Sequence, residues 1–71
     1  MLDAHVAQQS RLLHQSLTQA HLTAEQLWWH YFSIGGDVGP LETDAYLHQA
    51  LDLPRLQRTL LDHAARELIT G

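Results

Sequence analysis

Six histidines stand among 71 residues, and their spacing decides what chemistry they could support. A helix that holds a metal needs two imidazoles three or four residues apart, so that both rings reach one ion. His5, His14, His21, His30, His48 and His63 contain no such pair, and there is no His-Glu-x-x-His arrangement. The chain has no cysteine, so thiolate sites and disulfides are excluded. No metal and no cofactor is therefore expected; the spacings leave open only an ion gathered from separate helices.

Serine and histidine also meet at helical spacing, Ser10 with His14 and His30 with Ser33. A nucleophile needs more than a neighbouring base, and no oxyanion-binding loop accompanies either pair. The segment Gly35-Gly36-Asp37-Val38-Gly39 is not a phosphate loop, because no strand precedes it and no Gly-Lys-Ser/Thr follows. An enzyme is not expected. Full protonation of the histidines would carry the formal charge from −4 to +2, around an ordinary imidazole pKa of about 6.5. The plainer reading is that most of them titrate at the surface without consequence. His48, set among Leu41, Ala45 and Leu51, is the one expected to be partly buried and hydrogen-bonded.

Arginines carry the next candidate chemistry. Arg55, Arg58 and Arg66 fall on one face of the last helical segment, opposite its leucines. Three short-linked helices ending there resemble the trihelical helix-turn-helix of bacterial regulators. That resemblance makes the last helix a recognition helix, with Arg55 and Arg58 near its start, where base edges are met. Asp62 lies four residues from both Arg58 and Arg66, the pattern of an ordinary ion-paired surface. Eight acids against four arginines, with no lysine, also run against phosphate-backbone binding.

Two apolar residues suggest a different use. Trp29 points away from the apolar face of its helix, and tryptophan is enriched among binding hot spots. Leu12 is the corresponding candidate on the first helix. Trp29 is core if the first helix wraps both sides of the second, and an interface residue if it does not.

These side chains must be positioned by helices, since no strand candidate, repeat or low-complexity segment occurs. The spacing predicts an all-α fold, a small bundle of four helices in one domain spanning 1–71. Helix 1 is expected over about 3–21, with Leu2, Val6, Leu13, Leu17 and Ala20 inward and Gln9 interrupting the stripe. Helix 2, about 24–34, has a Thr23/Gln26 capping box and a Leu22/Leu27 staple, and ends at Gly35-Gly36. Ala24, Leu27, Trp28, Tyr31 and Ile34 share its inner face, with Phe32 at the edge. Helix 3, about 40–51, starts on Pro40 and turns Leu41, Ala45, Leu47 and Leu51 inward. Helix 4, about 54–69, restarts at Pro54 and buries Leu53, Leu56, Leu60, Leu61, Ala64 and Leu68.

Leu27-Trp28, Tyr31-Phe32, Gly35-Gly36, Pro40-Leu41-Glu42, Ala45-Tyr46-Leu47 and Leu53-Pro54-x-Leu56-x-Arg58 together resemble short helical bacterial proteins of unassigned function. The likeness covers about residues 22–68. It implies the three-helix unit and assigns no site residue.

A chain of this length buries only about 60% of its unfolded surface, so leftover apolar surface favours association. The expected function is a non-catalytic interaction or self-association module, meeting another protein or a second copy. The alternative is a helix-turn-helix DNA-binding regulator using helix 4. The start of the chain lacks a basic n-region and an apolar h-region, and no apolar run approaches about 18 residues. A cytoplasmic protein that does not enter the membrane is therefore expected.

Overall fold

The computed structural model describes residues 2–71, and among them the chain forms four α-helices with no strand. They are α1 (Ala4–Gln19), α2 (Ala24–Ser33), α3 (Pro40–Leu47) and α4 (Arg55–Thr70). No helix among the described residues is long and apolar enough to cross a membrane. The bundle is organised around α2 and α4, which form its most extensive contact; α2 also packs on α3, while α1 lies against α3 and α4.

Local chemistry explains the helix starts. The Asp3 side chain accepts from the His5 amide at 3.2 Å and caps α1. At α2 the capping box is reciprocal: Gln26 N donates to Thr23 Oγ1 at 3.0 Å, and Thr23 N donates to Gln26 Oε1 at 2.8 Å. Pro40 and Pro54 stand where no amide donor is needed.

The ends of α1, α2 and α3 share one device. In the Schellman motif a left-handed residue follows the helix, and two amides return to the last turn. The motif closes α1 through Leu22 N to Leu17 O at 2.9 Å and His21 N to Thr18 O at 3.1 Å. It closes α2 through Gly36 N to Tyr31 O at 3.0 Å, and α3 through Ala50 N to Ala45 O at 2.8 Å. The left-handed residues are His21 (φ 59), Gly35 (φ 105) and Gln49 (φ 58). Helix 3 therefore stops at Leu47, four residues before the expected end near Leu51, because Gln49 takes the conformation usually given to glycine.

His21 is exposed, and its imidazole makes no hydrogen bond that would repay the left-handed backbone. His21→Gly is therefore expected to stabilise the fold by roughly 0.5–1 kcal/mol, the left-handed strain relieved less the entropy glycine loses. Urea denaturation of the two proteins checks this.

The core comprises Val6, Leu13 and Leu17 of α1, Leu27 and Tyr31 of α2, and Tyr46 and Leu47 of α3. Leu53 and, from α4, Leu61, Ala64 and Ala65 complete it. Three leucines expected inside are outside: Leu41 is 82% exposed, Leu56 65% and Leu51 38%. On α3 the buried set is Thr43, Tyr46 and Leu47, one helical face turned so that the large phenol ring enters. Thr43 tolerates this because its hydroxyl donates to Gly39 O at 3.0 Å. On α4 Gln57 replaces Leu56 inside, drawn in by hydrogen bonds described below. The interruption foreseen at Gln9 is a bridge: Gln9 donates to Asp62 Oδ2 and accepts from Arg58 Nη1, both at 2.9 Å.

Candidate association surface

Helix α2 divides sharply into two faces. Leu27 and Tyr31 are fully buried, whereas Trp29 is 59% exposed and Phe32 54%. Helix α1 lies on α3 and α4 and leaves the outer face of α2 open. Trp29 is therefore a surface residue, with no helix wrapped over it.

The inner face fixes the outer one. The Tyr31 hydroxyl donates to Gln57 Oε1 and accepts from Val38 N at 3.0 Å. Gln57 Oε1 also accepts from Asp37 N at 3.2 Å. The loop after α2 is thereby folded back along the helix, and the Val38 carbonyl receives the Trp28 indole N–H at 2.7 Å. Trp28 is held at its nitrogen end and forms a base for its neighbours. Phe32 stacks on it with ring centroids 5.1 Å apart and planes at 20°, and Trp29 meets it edge-on at 4.9 Å and 67°. Offset and T-shaped contacts of this kind are the favoured aromatic geometries. The exposed rings are thus held in place by Trp28.

The second candidate, Leu12, is 51% exposed and lines a groove between α1 and α4. The groove encloses about 360 Å³ and is lined by Leu13, Ala65 and Ile69 together with Asp62 and Arg66. A more open crevice between α2 and α4 is lined by Trp29, His30 and Leu68. Trp29 and Leu12 therefore border different sides of α4 and do not form one patch.

The three arginines are not presented alike. Arg58 is half-buried, its guanidinium donating to Gln9 Oε1 and to Leu53 O at 3.1 Å. Arg55 borders a hollow with His5 and Arg58, and Arg66 lies in the groove beside Leu12. Helix α1 crosses the face they were expected to share.

Several histidines do find partners. His30 of α2 and His63 of α4 both turn Nε2 to Glu67, at 2.7 Å and 3.3 Å. The hydrogen bond from His30 is the main cause holding the Glu67 carboxyl below the usual carboxylate range, with His63 adding to it. His48 is exposed, contrary to expectation, because the face of α3 it was assigned to points outward; its ring does bond to Asp44 O at 2.9 Å. It also meets His14 of α1 edge-on at 4.9 Å. Among the described residues no group of three or more histidines or carboxylates is placed to hold a metal ion. The serine hydroxyls are used locally: Ser10 donates to Ala7 O at 3.1 Å and Ser33 to His30 O at 2.6 Å.

Among the described residues one buried hydroxyl has no partner, that of Tyr46. Burial, then the negative charges of Asp62 and Asp52, push it up to about 12 from 10.0, with Arg58 pulling the other way. The native chain thus keeps a proton that the unfolded chain releases near 10, so deprotonation favours unfolding. The contribution of Tyr46 is complete below about pH 10 and falls away towards about 12. Tyr46→Phe is expected to abolish that part of the alkaline loss, checked by urea midpoints across this range.

No family model, curated protein or solved structure matches the chain.

Proposed function

We propose that this chain is a non-catalytic association module that buries the outer face of α2, centred on Trp29, against another protein chain. The single observation behind the reading is that Trp29 and Phe32 stay half-exposed on a base fixed by Trp28 and Val38. Rigid, partly exposed aromatics lose little side-chain entropy on docking and supply large contact area, which is why such residues dominate interface energetics. Leu12 and the α1–α4 groove give a second contact on the other flank of α4. Partner and second copy are both accommodated by this reading, and one experiment separates them.

A photo-reactive benzoylphenylalanine placed at position 29, or at 12, is irradiated in cells expressing the protein. Discrete adducts are expected from position 29 and not from Gln8, an exposed residue of α1. The mass of the adduct tells a second copy from another protein. Equal yields from 29 and 8 would refute the reading.

Recognition of DNA through Arg55, Arg58 and Arg66 is the weaker proposal, because Arg58 is already engaged by Gln9 and Leu53. Salt-dependent binding to a duplex at low ionic strength would restore it.

A further inference from the structure

We propose that the aromatic face of α2 receives a basic polypeptide segment, with an arginine or lysine side chain lying over Trp29 and Phe32 and its charge met by Glu25 and Asp37. This rests on the association reading above and specifies the chemistry of the partner. Three observations carry it.

The first is the charge around the rings. Glu25 stands one turn before Trp29 on the same side of the helix. Asp37 adjoins Val38, whose carbonyl holds the Trp28 indole. Glu42 continues this acidic edge, because its carboxylate lies over Gly39, with Oε1 2.7 Å from where a β-carbon there would be. All three acids are exposed, and none is in an ion pair among the described residues.

The second is where the positive charge is. All four arginines belong to α1 and α4, so no guanidinium of the chain itself arises from α2, its following loop or α3. The face is apolar at its centre and anionic at its edge, and its complement is an apolar stem with a cationic end. That is the shape of arginine and lysine.

The third is ring geometry. Trp28 holds Phe32 by stacking and Trp29 edge-on, which leaves part of each outer ring open to solvent. A cation over an indole face is attracted by the ring quadrupole, tryptophan being the strongest of the aromatic partners. Nearby carboxylates add to the same field, and desolvation on docking strengthens both.

The experiment uses a short acetylated and amidated peptide alternating arginine and alanine. Its control has citrulline for arginine, which keeps the shape and removes the charge. Binding to the whole chain is followed by tryptophan fluorescence and by NMR shifts of the two indole N–H groups. The arginine peptide is expected to shift the Trp29 indole and to bind at least about tenfold more tightly than the citrulline peptide. Affinity is expected to fall as ionic strength rises. Glu25→Gln with Asp37→Asn is expected to weaken it about tenfold, whereas Asp44→Asn with Asp52→Asn, an equal change in net charge away from the face, leaves it within about twofold.

Equal binding of the two peptides, or equal loss in the two double variants, would overturn the inference. If either occurs while position 29 still cross-links a protein, the association reading stands and only the basic partner fails. If cross-linking at 29 also fails, both fail.

Discussion

Gly36→Ala is expected to cost about 3 kcal/mol or more, lowering the melting temperature by roughly 12–24 °C. A β-carbon at Gly36 would sit well inside 3.0 Å of Cζ, Cε1 and Cε2 of Tyr31. That ring is fully buried and its hydroxyl is bonded on both sides, so it cannot swing aside. Relief requires moving the loop away from α2, which breaks the hydrogen bonds at Tyr31 and Trp28 together. Gly35 is the informative control. Its φ of 105° strains any other residue, yet a β-carbon there meets nothing within 4 Å. Gly35→Ala is therefore limited to backbone strain of about 1–2 kcal/mol. Adjacent glycines serve different purposes, one for backbone conformation and one for space. Equal losses from the two substitutions in thermal melts would contradict this.

Tyr31→Phe and Tyr46→Phe remove the same atom from two fully buried rings and are expected to differ in result. At position 31 the change takes the acceptor from Val38 N–H and a donor from Gln57 Oε1. Gln57 keeps the Asp37 amide, but Val38 N–H has no replacement. Leaving such a group unpaired costs about 1–3 kcal/mol. At position 46 the hydroxyl has no partner to lose, so Tyr46→Phe is neutral or stabilising near neutral pH. Tyr31→Phe is also expected to free the Val38 carbonyl and speed exchange of the Trp28 indole proton. Denaturation midpoints check the energies, and NMR checks the loosening.

The second helix was the most legible element because its signals are local. Thr23 and Gln26 satisfy each other across three residues, and Gly35-Gly36 marks the stop. The ends of α1 and α3 were less so, because His21 and Gln49 occupy left-handed positions that glycine usually marks. Spacing alone points to the wrong face of α3, for a competitive reason. Leu41 and Leu51 match helical spacing with Ala45 and Leu47, but turning Tyr46 and Thr43 inward buries more ring surface and still satisfies the threonine hydroxyl. Gln57 carried no sequence signal, since its partners are a tyrosine 26 residues away and a loop amide 20 away.

The candidate surface follows the same division. The turn per residue alone puts Trp29 opposite the apolar face of α2. That this side stays open rather than covered by α1 is decided by how the helices pack, which the sequence left undecided. That Trp29 rests on a fixed Trp28 depends on the loop at Asp37 and Val38 folding back, which the Tyr31–Gln57 pair decides and no local pattern announces. Arg58 likewise matches an exposed arginine face by its spacing, but Gln9 of α1 bonds it.

Everything functional proposed for this chain requires that α2 turn Tyr31 inward and Trp29 outward, with Trp28 held between them. Hydrogen exchange of the two tryptophan indole protons in the free protein tests this directly. The Trp28 proton, bonded to the Val38 carbonyl, should exchange slowly, and the Trp29 proton at the rate of an open side chain. Two protected indoles, or a fast Trp28 and a slow Trp29, would show that the outer face of this helix is not the one described.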